Sequence, residues 1–76
     1  MSPRLPVVEA KDLARVARTL GFELDRQKGS HAVFRRESDR ARVVIPMHSG
    51  KAIRPKTLVG ILEDMGITSE QLWHLL

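Results

Sequence analysis

Cysteine is absent from this chain of 76 residues, so neither a disulfide framework nor a thiolate zinc site is open to it. That absence sets a reducing compartment, the cytoplasm, as the expected one. Long apolar runs are missing too: the stretch Val43 to Met47 falls far short of the ~20 residues of a membrane-spanning helix. Met1 to Pro6 carries no apolar core of a signal peptide. Repeats, low-complexity tracts and linkers are absent, so residues 1–76 are expected to form one domain. A chain of this length buries a smaller fraction of its surface than a large protein does, and its stability is correspondingly modest.

Basic residues are missing from one part of the chain and concentrated in another. Residues 57–76 hold three acids and no Lys or Arg, residues 26–56 hold nine basic side chains against two acidic ones, and residues 1–25 are balanced. The net charge of +4 therefore sits in the middle of the chain. A cationic block of this kind suits a polyanion, because neutralising phosphates releases counterions. An acidic protein surface would satisfy the same block, as would plain solvation.

Leu13, Val16, Ala17 and Leu20 recur at helical spacing, and Gly21 supplies a stop. On the same segment Lys11, Arg15 and Arg18 lie nearly opposite that apolar stripe. Glu9 stands where Ser, Thr or Asp would cap better, while Asp12 suits the first turn. From Phe22 the period becomes two: Phe22, Leu24 and Arg26 are predicted on one strand face, Glu23 and Asp25 on the other. Gly29 marks a tight turn, Ser30 to Arg36 a second strand, and Arg42 to Ile45 a third that Pro46 ends. Pro55 opens a helix carrying Leu58, Ile61, Leu62 and Met65, which Gly66 closes. Thr68 and Gln71 form a capping box, with Ile67 and Leu72 as its staple, for a short last helix. The fold class is α+β: a two-layer sandwich of order α-βββ-α(α), with a three-stranded antiparallel sheet and all helices on one face. Trp73, the only tryptophan, is expected to pack beneath the last helix.

Few groups suited to chemistry remain. His31, His48 and His74 are too widely spaced for a zinc site, and no GxSxG elbow is present. Glu23 and Asp25 share a strand face as the acids of a two-metal nuclease would, although exposed charged alternation is the ordinary case. His31 is distinguished by its company. It follows Gly29 and Ser30, with Arg26, Lys28 and Arg35 nearby, so an imidazole can meet a phosphate held by cations. RNA cleavage asks for little more, since the 2′-hydroxyl is an internal nucleophile and the protein need only orient, move a proton and stabilise charge. From the residues alone His31 stays open between that role and a structural hydrogen-bonding one.

Three segments in order, Gly29-Ser30-His31-Ala32-Val33-Phe34, Ile45-Pro46-Met47-His48-Ser49-Gly50-Lys51, and Pro55-Lys56-Thr57-Leu58 followed by Ile61-Leu62 and Met65-Gly66-Ile67, resemble the successive motifs of the HicA family of toxins. The resemblance spans roughly residues 9–73. It implies a double-stranded-RNA-binding-domain-like fold and a ribosome-independent mRNA interferase neutralised by a HicB antitoxin, with no metal or other cofactor. It makes His31 the catalytic residue and Gly29 its motif glycine. Lys11, Arg15, Arg18, Lys28, Gly29, Ser30, His48 and Lys51 are then the expected RNA contacts. Two rival readings are a noncatalytic double-stranded-RNA-binding module and a protein-interaction domain for an acidic partner. Cleavage that depends on His31 separates the first reading from both.

Overall fold

A computed structural model describes residues 4–76, so the leader reading of Met1 to Pro6 lies partly outside the described residues. Six elements follow in the expected order: α1 (Ala10–Thr19), β1 (Glu23–Lys28), β2 (His31–Arg36), β3 (Ala41–Pro46), α2 (Pro55–Met65) and α3 (Ser69–Leu75). The strands form one antiparallel sheet of order β1-β2-β3. No helix among the described residues is long and apolar enough to cross a membrane.

The core lies between one sheet face and the helices. Ala32 and Phe34 of β2 and Val43 and Ile45 of β3 point into it. Leu13, Val16 and Ala17 of α1, Leu58, Ile61, Leu62 and Met65 of α2, and Leu72 of α3 meet them there. The apolar stripes of α1 and α2 are therefore buried as their spacing predicts. Helix ends follow from local chemistry. After α1 the Phe22 N–H donates to the Ala17 carbonyl (2.9 Å) and the Gly21 N–H to that of Arg18 (3.0 Å), a Schellman closure that satisfies two orphan carbonyls. At its start the Glu9 N–H donates to Asp12 Oδ2 at 2.9 Å, so Asp12 does part of the capping that Glu9 was expected to do poorly. The Thr68–Gln71 capping box of α3 is present as predicted.

Two expectations fail. Arg26 does not share a face with Phe22 and Leu24: the β1–β2 ladder pairs Leu24 with Phe34 but Arg26 with Val33, so one extra residue, Asp25, is bulged between them. A bulge of this kind reverses which face the following residues present. It also breaks the alternation that would have set Glu23 and Asp25 side by side. Trp73, in turn, is not packed beneath α3. It is 49 % exposed, with its indole N–H donating to the Arg4 carbonyl at 2.6 Å, because the neighbouring Leu72 already fills the buried position of that helix.

The turns are pinned separately. Gly29 and Ser30 form a two-residue hairpin loop with φ of +59° at Gly29 and no positive φ at Ser30, the pattern of a type II′ turn. At the other end of β2, Arg36 donates to both carboxylate oxygens of Asp39 (Nε–Oδ1 3.0 Å, Nη2–Oδ2 2.9 Å) and to the Leu20 carbonyl (2.9 Å). Its guanidinium also lies 4.5 Å from the Phe22 ring centre. This one side chain fastens the β2–β3 turn to the end of α1.

Gly29→Ala meets no neighbouring atom, so its cost is purely conformational, about 1–3 kcal/mol for an L-residue held at positive φ. In a domain this small that lowers Tm by roughly 5–15 °C in a calorimetric scan. A second measurement concerns acid. Hydrogen bonds from Arg36 first, and from the Ala41 N–H second, lower the Asp39 carboxyl from 3.8 to about 2. A depressed carboxylate contributes stability that is present above its ordinary range and is lost as pH falls toward 2. An NMR titration is expected to find Asp39 near 2 in the native protein and raised in Arg36→Ala, though still below the ordinary aspartate range because the Ala41 N–H bond remains. The contribution is small and weakens with salt, because the pair is exposed.

Candidate active site

His31 is the first residue of β2, placed directly after the Gly29–Ser30 turn, and its side chain is exposed. In the two ladders it stands opposite Lys28 on β1 and Pro46 on β3. Opposed residues of an antiparallel sheet point to the same face, and alternate residues along a strand share it. Ala32 and Phe34 face the helices, so His31, Val33 and Arg35 face away from them, together with Lys28, Arg26, Arg42 and Val44. Arg26, Lys28, His31, Val33, Arg42 and Val44 line one open groove of about 560 Å³. The sheet therefore has an apolar side under the helices and a cationic side that carries the histidine.

The loop after β3 closes one end of this face. The Met47 N–H donates to the Ser30 carbonyl at 2.6 Å, which ties the loop to the hairpin turn. Farther along, the Ile53 N–H donates to the Val8 carbonyl (2.8 Å), and Glu9 bridges Ala52 as a short antiparallel pair. Held at both ends, the loop sets His48 and Lys51 around a cavity of about 340 Å³ that Pro46, the cross-strand neighbour of His31, also lines. Lys11 joins His48 around a second, smaller hollow.

Of the residues expected at the site, Lys28, Gly29, Ser30, His31, His48 and Lys51 gather at one end of the sheet, with Lys11 beside the loop. Arg15 and Arg18 are not brought there. Arg15 Nη1 reaches the Leu75 carbonyl at 3.4 Å, and the Arg18 guanidinium lies 5.7 Å from the ring centre of the core residue Phe34. Both belong to the helical side. Among the described residues no group of three or more His, Cys, Asp or Glu is placed to hold a metal ion.

Residues 10–67 match the family model described as the HicA toxin of bacterial toxin–antitoxin systems. The chain belongs to the HicA family. No curated protein matches it. The α-βββ-α order and the motif histidine at the mouth of β2 agree with the segments that carried the resemblance, and membership makes this chain a toxin of a toxin–antitoxin pair.

Sequence reading named Arg26 near this HicA-family histidine but assigned it to the core side of β1, and it missed Arg42 altogether. For Arg26 a signal was available. Counting back from a two-residue turn pairs Arg26 with Val33, whereas counting forward from the buried Phe22 assigns Arg26 to the core side. The two counts disagree by one residue, and that mismatch is the bulge.

Proposed function

We propose that this toxin is a metal-independent endoribonuclease that cleaves mRNA with His31 as its catalytic group, acts in the cytoplasm, and is neutralised by a HicB-type antitoxin. The observation that supports it is the exposure of His31 on the cationic face, between Lys28 and Pro46, after which the loop of His48 and Lys51 begins.

The chemistry needs little machinery. Removing the 2′-hydroxyl proton lets that oxygen attack the adjacent phosphorus. The bond to the 5′-oxygen breaks, and that oxygen takes up a proton as it leaves. The products are a 2′,3′-cyclic phosphate and a free 5′-hydroxyl. An imidazole titrates near neutrality, so His31 serves either proton transfer. Negative charge grows on the phosphoryl oxygens during attack, and Lys28, Lys51 and the Ser30 hydroxyl are the groups to hold it. Lys11 and His48 border the same end and contact the chain beyond the reacting linkage. Arg15 and Arg18 take no part at the reacting phosphate in this reading.

Antitoxin binding follows from the same charge. An acidic surface laid on the cationic face excludes RNA and covers His31 at once.

The purified protein incubated with unstructured RNA in EDTA is expected to leave cyclic-phosphate and 5′-hydroxyl ends, with His31→Ala slower by about 10²–10⁴-fold. Equal cleavage by the two proteins, or cleavage only after a divalent metal is added, overturns the mechanism. Binding without cleavage by either leaves a noncatalytic RNA-binding module.

A further inference from the structure

On the face that carries His31, the ladder pairs set the side chains in three rows. Lys28, His31 and Pro46 form the first, Arg26, Val33 and Val44 the second, and Glu23, Arg35 and Arg42 the third. Successive rows lie about 7 Å apart, two residues along a strand. Two features set this face apart. Arg35 stands directly opposite Arg42, an arrangement of like charges that destabilises a sheet and that Glu23, across from Arg35 on β1, offsets only in part. None of Arg26, Lys28, Arg35 and Arg42 has a carboxylate within ion-pair distance, since Arg36–Asp39 is the one ion pair among the described residues. The bulge at Asp25 adds to the crowding by turning Arg26 out onto this face. Val33, although it points away from the helices, is only 8 % exposed and shares its groove with Arg26 and Arg42. The long aliphatic stems of arginine cover apolar surface in this way while leaving the charged ends in water.

We propose that Arg26 and Arg42 hold backbone phosphates of the RNA next to the linkage presented to His31, so that a single strand crosses the open face of the sheet. The proposal rests on the ribonuclease reading above and adds the path of the substrate. Arginine presents a planar fork of donors that matches phosphate oxygens two at a time, and the low groove floor of Val33 and Val44 lets a flexible strand lie close. An anion between the rows also removes the repulsion between Arg35 and Arg42. The helical side offers no such track at the reacting end, because Arg15 and Arg18 are held by Leu75 and Phe34.

The test uses Arg26→Gln and Arg42→Gln, which keep the stems over Val33 and remove the charge, with Lys56→Ala on α2 as a single-charge control. In a His31→Ala background, which leaves the RNA intact, binding of a short fluorescein-labelled unstructured RNA is measured against salt. Each Gln variant is expected to reduce the slope of log K against log salt by about 0.7, with affinity about fivefold weaker at 0.1 M salt. Lys56→Ala is expected to leave the slope unchanged. With His31 present, the Gln variants raise KM and leave kcat within about twofold, as loss of uniform binding does. Unaltered slopes in both Gln variants, or an equal loss in Lys56→Ala, overturn the proposal, and unaltered slopes assign the face to an acidic protein instead. The binding measurement decides the path whether or not the wild type cleaves, so a wild type without cleavage counts against the ribonuclease reading alone.

Discussion

Pairing between Lys28 and His31 across a two-residue turn is the constraint on which the rest of this structure depends. Side chains in a regular ladder alternate, so one registered pair decides the faces of its neighbours on both strands until a bulge intervenes. With His31 directed away from the helices, Ala32 and Phe34 must enter the core, and they do. On β1 the same pairing turns Arg26 and Lys28 toward the histidine. Phe22, though, must reach the core from the other end of β1. Both demands are met by leaving Asp25 out of the ladder. On an edge strand this costs little, because no third strand has to follow the bulge, and a bulged, charged edge also discourages unwanted pairing with other chains.

Arginines in this protein serve two purposes that local contacts tell apart. Arg36 spends its donors on Asp39 and Leu20 and lies over Phe22, which fixes a turn. Arg26 and Arg42 have no such engagement and border the groove of His31. A small domain holds only about 0.05–0.15 kcal/mol of stability per residue, so like charges on a sheet that one acid, Glu23, offsets only in part are a notable cost. They are concentrated on the side without helices, away from the packing of the core. The anchored loop joins the hairpin turn to the start of α1 through its hydrogen bonds to Ser30 and Val8.

Much of this was readable in the residues. Periodicity located both long helices and the meander, and Pro55, Gly66 and Thr68 marked helix boundaries that the structure reproduces. The short motifs pointed to His31 and its loop. Facing along β1 was not read correctly, because a period of two carries no mark of an inserted residue unless it is checked against the turn. The three cations of α1 did form one stripe by spacing, but spacing cannot show that Arg15 and Arg18 find partners on α3 and at Phe34. Trp73 was misjudged for a similar reason. Its surroundings depend on the Arg4 carbonyl, 69 residues away in the chain.

The account's central claim is that RNA meets this protein on the side of the sheet that carries His31. NMR chemical-shift mapping with a short RNA whose 2′-hydroxyls are methylated, and which therefore cannot be cleaved, tests it most directly. Shifts confined to His31, Val33, Val44 and the Gly29–Ser30 turn, continuing into the loop of His48, are the predicted result. Shifts that instead follow Arg15 and Arg18 along α1, with the His31 ring unmoved, would contradict it.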